Sequence, residues 1–147
     1  MPVDQVSRKL LGLLRKDARA KYAELGQAIY LSAPAVFERV KKLEKSGVIR
    51  RYTVDLDPQA IELGLCSFVQ IRLERTSTDE LARLLMPFAE IEECHCIAGE
   101  DCILAKVRTK DAQDLNRLLQ EIKNLPGVQR TLTTIVLTTL FERGIQP

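Results

Sequence analysis

With 147 residues, 46% of them hydrophobic and 29% charged, the chain has room for one ordinary domain or two small ones and the balance of a soluble globular protein. No apolar run approaches the roughly 18–20 residues that cross a bilayer, and MPVDQVSRKL lacks the basic and apolar regions of a secretory signal, so a cytoplasmic location is expected. The net charge of +2 conceals an asymmetry. Residues 1–60 carry twelve Lys/Arg against seven Asp/Glu, and residues 61–147 carry ten against thirteen, so a polyanionic partner suits the first part only.

Val6, Leu10, Leu13 and Leu14 recur at i, i+4, i+7, i+8 and predict a first helix, with Asp4 as its N-cap. Tyr22, Leu25 and Ile29 predict a short second helix that ends before Leu31. Ser32 then caps a third, whose inner face is Val36, Val40 and Leu43 and whose first turn holds Pro34, where a missing N–H costs little. Gly47 supplies a left-handed terminus, with Val48 as the apolar residue behind it. Val48 to Leu56 reads as a strand closed by Asp57-Pro58. Three helices and one strand in under sixty residues describe a winged helix-turn-helix lacking half of its wing.

The rest alternates differently. A strand from Cys66 to Glu74 precedes a helix capped by Ser77 or Thr78, with Leu81, Leu84, Leu85 and Phe88 on its face. Strands Ile91 to Ile97 and Cys102 to Arg108 flank a turn at Gly99-Glu100. Asp111 opens a helix bearing Leu115, Leu118, Leu119 and Ile122, which Pro126-Gly127 stops, and Val128 to Phe141 is a long β-branched strand. The order β-α-β-β-α-β is the ferredoxin-like arrangement. The predicted class is therefore α+β, with a winged helix-turn-helix domain over residues 1–60 and a ferredoxin-like βαββαβ domain over 61–147.

Strand parity assigns faces. A turn centred on Gly99-Glu100 sets Cys94, Cys96, Ile103, Ala105 and Val107 beneath the helices. His95, Ile97, Cys102, Leu104, Lys106 and Arg108 then fall on the other face with Phe68, Gln70 and Arg72. That mixed, uncovered face suits a symmetric interface with a second copy. An ordinary solvated face is the alternative.

The functional signal is LSAPAVFERVKKLEKSGVIRRY, from Leu31 to Tyr52. With Val36, Val40 and Leu43 turned inward, Ser32, Ala33, Ala35, Glu38, Arg39 and Lys42 face out. Small residues at a helix N-terminus admit base edges and thymine methyls, and the N-terminus itself favours a phosphate. Arg39, Lys42, Arg50 and Arg51 can hold the flanking backbone, and Arg19 and Lys21 precede the second helix where such folds straddle the strand. The competing interpretation, a solvated basic face, accounts for the charge but not for the short helix, tight turn and small N-terminal residues together.

Other chemistries find little purchase. His95 lies between Cys94 and Cys96, but neighbours on a strand point to opposite faces, and zinc spacings are missing; no metal or cofactor is expected. Without a secretory signal the four cysteines read as reduced thiols packed in a core, with Cys102 on the interface face as the one candidate redox sensor. A single His, no phosphate loop and Glu92-Glu93 on opposite faces of a strand argue against an enzyme.

At these residues the chain resembles the Lrp/AsnC family, through DARAKYAELGQAIYLSAPAVFERVKKLEKSGVIRRYTVDLDP, IEECHCIAGEDCILAKVRT and LPGVQRTLTTIVL. The resemblance implies a DNA-binding first domain, with Ser32 to Lys45 as recognition helix and Ser32, Ala33, Pro34, Ala35, Glu38 and Arg39 at DNA-facing positions. It implies a second domain that dimerises, assembles dimers into octamers in many members, and takes an amino acid between subunits. In the family the strand after the recognition helix doubles as a linker, which would explain the half wing. The implied effector pocket is Ala98, Gly99, Glu100, Asp101, Cys102 and Ile103 with Thr133, Thr134 and Ile135. Many members have Gly-x-x-Asp-aromatic where this chain has Gly99-Glu100-Asp101-Cys102-Ile103. Either Asp101 or Glu100 replaces the lost carboxylate, or the effector is different or missing. The expected function is a sequence-specific transcription regulator under amino acid control. The alternative is an effector-independent DNA-architectural protein.

Overall fold

The computed structural model describes residues 3–99 and 102–147 and divides into two compact units, residues 1–55 with 142–147 and residues 56–141.

The first unit holds α1 (Gln5–Lys16), α2 (Tyr22–Ile29) and α3 (Ala33–Lys45). Each starts where the local chemistry dictates. The Asp4 carboxylate accepts from the Ser7 N–H at 2.7 Å, and Ser32 Oγ accepts from the Ala35 N–H, each satisfying one of the four donors that a helix start leaves open. Leu10, Leu14, Leu25, Ile29, Val36, Val40 and Leu43 form one core, with Val6, Leu13, Tyr22 and Ile49 packed against it.

The connection from α2 to α3 is tighter than the sequence pattern implies. Tyr30 takes φ 60°, and the Leu31 N–H returns to the Gly26 carbonyl at 2.9 Å. A Cβ on Gly26 would sit 2.3 Å from the Leu31 carbonyl oxygen, so only glycine lets the two backbones approach this closely.

Two expectations for this unit change. Gly47 is left-handed as expected, at φ 73°, but Ile49 closes the end of α3: its N–H bonds to the Leu43 carbonyl and its side chain joins the core, while Val48 stays 40% exposed. Residues 48–56 form no strand. They have no ladder partner among the described residues, and Tyr52, Val54 and Leu56 are exposed. A strand exists only through its partner, and the wing-forming run has none among the described residues.

The second unit is a four-stranded antiparallel sheet of order β2-β3-β1-β4, built from β1 (Leu65–Leu73), β2 (Ile91–Cys96), β3 (Ile103–Thr109) and β4 (Val128–Ile135), with α4 (Thr78–Leu85) and α5 (Ala112–Lys123). Its core joins Val69 and Ile71 of β1 and Ile103, Ala105 and Val107 of β3 to Leu81 and Leu85 of α4 and Leu115, Leu118 and Ile122 of α5. Ser77 and Asp111 cap the helices through Glu80 and Asp114, so of the two candidates for the α4 cap it is Ser77 that serves. β4 stops at Ile135, six residues short of the run to Phe141. Leu137, Leu140 and Phe141 are exposed, since β-branched composition alone does not supply a partner strand.

Candidate nucleic-acid interface and effector turn

The buried line Val36, Val40 and Leu43 fixes which arc of α3 faces away from its core. At 3.6 residues per turn that arc centres on Pro34, Glu38, Lys41 and Lys45, with Lys42 beside it, and all five are exposed. Ser32 is exposed at the helix entrance, and Ala33 and Ala35 are half-buried. Arg19, Lys21, Arg50 and Arg51 are also exposed. Lys41 and Lys45 were absent from the expected set, although helical spacing from Pro34 points to both. With residues 142–147 included, the unit carries thirteen Lys/Arg against seven Asp/Glu.

Arg39 occupies a different position from its neighbours. Its guanidinium donates to Asp4 Oδ2 at 2.6 Å and to Ser7 Oγ at 2.8 Å, and the side chain is 30% exposed. It therefore pins α3 to the start of α1. The same contacts, led by the Ser7 N–H and then by Arg39, hold the Asp4 carboxyl down at about 2. Phe37 is the unexpected surface residue. It is 45% exposed, its ring centroid lies 6.0 Å from that of Tyr22 at an interplanar angle of 57°, and Lys41 Nζ sits 5.7 Å from the ring centroid.

In the second unit, the register sets Phe68 between Lys106 and Thr134, and Gln70 between Leu104 and Leu132. These residues share the face opposite the helices, where Phe68 is 37% and Leu132 54% exposed. A bulge between Ile91 and Glu93 alters the expected parity of β2. Glu92 and Glu93 fall on the same face, not on opposite ones. Glu92 binds Lys106 Nζ at 3.3 Å and Arg108 Nε, and Glu93 meets His95 Nε2 at 3.0 Å. Burial raises the Glu92 carboxyl, but Arg108 and then Lys106 outweigh it and bring it below the usual range. The ion pairs explain how Lys106 and Arg108 lie nearly buried on an uncovered face. The two carboxylates are therefore neighbours, and the parity argument against acid–base chemistry no longer applies to them.

The cysteines also depart from expectation. Cys66 is buried, Cys102 half-buried, and Cys94 and Cys96 are exposed. Parity puts Cys94 and Cys96 on the helix side as expected, paired with Ala105 and Ile103, but β2 is an edge strand and the helices leave its margin open. Among the described residues no group of three or more His, Cys, Asp and Glu could hold a metal.

Of the expected effector residues, Ala98 and Gly99 are exposed, Cys102 is half-buried and Ile103 is 2% exposed within the core. Glu100 and Asp101 lie outside the described residues. Gly99 has φ 146° and open space where a Cβ would project. Thr133 and Ile135 sit opposite Val69 and Ser67, and Thr134 opposite Phe68, on the far edge strand. Two strand spacings of about 4.8 Å each separate β4 from β3, and Ile135 lies four residues, roughly 13 Å, further along than Ile103. One chain does not bring Ile103 and Thr133–Ile135 together. Ile135 instead lines an open cleft with Gln59, Glu62, Leu65, Lys110 and Asp111.

Residues 3–50 match the family model described as winged helix-turn-helix DNA-binding, and residues 66–145 match the Lrp/AsnC ligand binding domain. The chain is 35% identical over 139 residues to the leucine-responsive regulatory protein of Escherichia coli K12, covering 92% of this chain and 85% of the relative. It is 32% identical over 142 residues to an HTH-type transcriptional regulator of Pyrococcus horikoshii, covering 97% and 94%. The solved structure of E. coli AsnC superposes with a TM-score of 0.92 at 27% identity, covering all of both chains. No helix among the described residues is long and apolar enough to cross a membrane.

Proposed function

The chain belongs to the Lrp/AsnC family of transcription regulators, and from that premise we propose a sequence-specific regulator of double-stranded DNA, controlled by an amino acid bound between subunits. The observation that carries the DNA reading is the exposed arc of α3, with Lys41, Lys42 and Lys45 on a capped helix whose entrance is lined by Ser32, Ala33 and Ala35. Base edges are read from that entrance, while Lys42, Arg19, Lys21, Arg50 and Arg51 hold phosphates. Arg39 acts by orienting α3 through Asp4. Such a protein works in the cytoplasm, beside the DNA.

The second unit is the dimerising and sensing part. Its open face, with Phe68, Leu104 and Leu132 beside the Glu92 ion pairs of the β2 edge, has the apolar centre and charged margin of a subunit interface. The E. coli relative is named for its response to leucine, and a free amino acid is the effector class we propose here. Because Ile103 and Thr133–Ile135 lie apart within one chain, a pocket using both needs two protomers. Effector binding then shifts the assembly only insofar as it favours one arrangement.

Two measurements test this. Site selection from a random duplex pool, followed by competition with bulk DNA, should leave the protein on its site with a preference of about 10³-fold or more; a flat preference would favour the architectural alternative. A thermal-shift screen across the free amino acids should raise the melting temperature with at least one, and Gly99→Asp should remove that shift. A shift that survives Gly99→Asp would move the pocket elsewhere.

A further inference from the structure

Resting on the DNA-binding reading, we infer that Phe37 is a specificity-determining residue, whose ring packs against the 5-methyl group of a thymine in the major groove. Phe37 lies on the second turn of α3, on the flank of the exposed arc next to Lys41. Nearly half of its surface is open, on a helix whose other exposed positions hold polar, charged or small residues or proline.

The ring is held in place. Tyr22 packs against it at 6.0 Å and a tilted angle, which restricts the ring while leaving it 45% exposed. Lys41, one turn on, lies over the ring at 5.7 Å, bringing a cation to the same spot. An apolar group beside a cation suits duplex DNA, where each thymine presents a methyl to the major groove close to the phosphates. Ala33, one turn before Phe37, adds no bulk that would hold the helix out of the groove. A second copy of this chain, the rival occupant, would have to accept a unit with thirteen Lys/Arg against seven Asp/Glu, which self-repulsion disfavours.

The test uses the full chain and a duplex selected from a random pool. Each thymine is replaced in turn by deoxyuridine, which deletes the methyl and nothing else. One position per half-site should weaken wild-type binding about four-fold, the equivalent of about 0.8 kcal/mol for one buried carbon, and both together about fifteen-fold. Phe37→Ala should bind thymine and deoxyuridine duplexes alike, with an unchanged salt dependence because no charge is lost. Phe37→Leu, which keeps apolar reach, should retain part of the discrimination. Tyrosine fluorescence confirms that each variant is folded, and the wild-type comparison stands without any variant. Wild type indifferent to every deoxyuridine, or discrimination that persists in Phe37→Ala, overturns the thymine contact. A change in oligomer mass in Phe37→Ala with discrimination intact assigns the ring to the second copy instead. A pool with no enriched sequence overturns the regulator reading itself.

Discussion

Gly26→Ala puts the packing of the first unit to a test of sign. In an ordinary helix interior this substitution stabilises by about 1 kcal/mol, because alanine has the higher helix propensity. Here the added Cβ would lie 2.3 Å from the Leu31 carbonyl oxygen and 3.3 Å from its carbon. Those are backbone atoms, held by the Leu31 N–H bond to Gly26 itself, so relief requires the α2–α3 connection to open by nearly an ångström. Overpacking of this kind costs about 1–3 kcal/mol, and a backbone clash belongs at the upper end. Net of the propensity gain, a loss of about 2 kcal/mol is expected, or roughly 8–16 °C in melting temperature for a domain of this size. The assay is selective. The chain has no tryptophan, and its three tyrosines, Tyr22, Tyr30 and Tyr52, all lie in the first unit, so tyrosine fluorescence follows that unit alone. DNA affinity should fall as well, because α3 would leave its seat against α2. A melting temperature that rises by a few degrees would refute the reasoning.

Three further outcomes are expected. The Asp4 carboxyl, held at about 2 against an ordinary value of 3.8, contributes stability that is complete above about pH 4 and lost as pH falls toward 2. Asp4→Asn, which still caps the helix, should flatten that acid limb of the tyrosine-monitored melt, and an identical limb would show that Asp4 is not its source. Ser67 Oγ is buried with no hydrogen-bond partner among the described residues, so Ser67→Ala should raise the stability of the second unit by about 1 kcal/mol in urea denaturation followed by circular dichroism; destabilisation would reveal a partner. Glu92→Gln leaves Lys106 and Arg108 side by side with their shared anion gone, and a loss of about 1–2 kcal/mol is expected, discounted from a fully buried pair because Glu92 is one-third exposed. An unchanged urea midpoint would mean that the other interactions of these cations suffice.

Which features were legible in the chain follows from the range of the forces involved. Asp4, Ser32 and Asp111 act on backbone groups three residues away, so their capping roles could be read directly. The spacing of Leu10, Leu14, Val36, Val40 and Leu43 likewise needs only one helix to be visible. Other features depend on a second element. Arg39 resembles any outward base on a helical wheel, yet its partner lies 35 residues away. Glu92 and Glu93 are consecutive and would take opposite faces of a regular strand, but a bulge in the pairing with β3 unites them. Cys94 and Cys96 have core parity, yet their strand is at the edge.

Local periodicity and capping thus determined by themselves that this chain makes three helices in the helix-turn-helix pattern, followed by a βαββαβ sheet, because each signal is completed within a turn or a strand. Tertiary structure alone decided that Gly26 sets the closeness of α2 and α3, that residues 48–56 lack a pairing strand among the described residues, and that residues 142–147 group with the first unit. It also separated Ile103 from Thr133–Ile135. These outcomes depend on distances between segments remote in sequence, and no periodicity along a single segment encodes a distance to another.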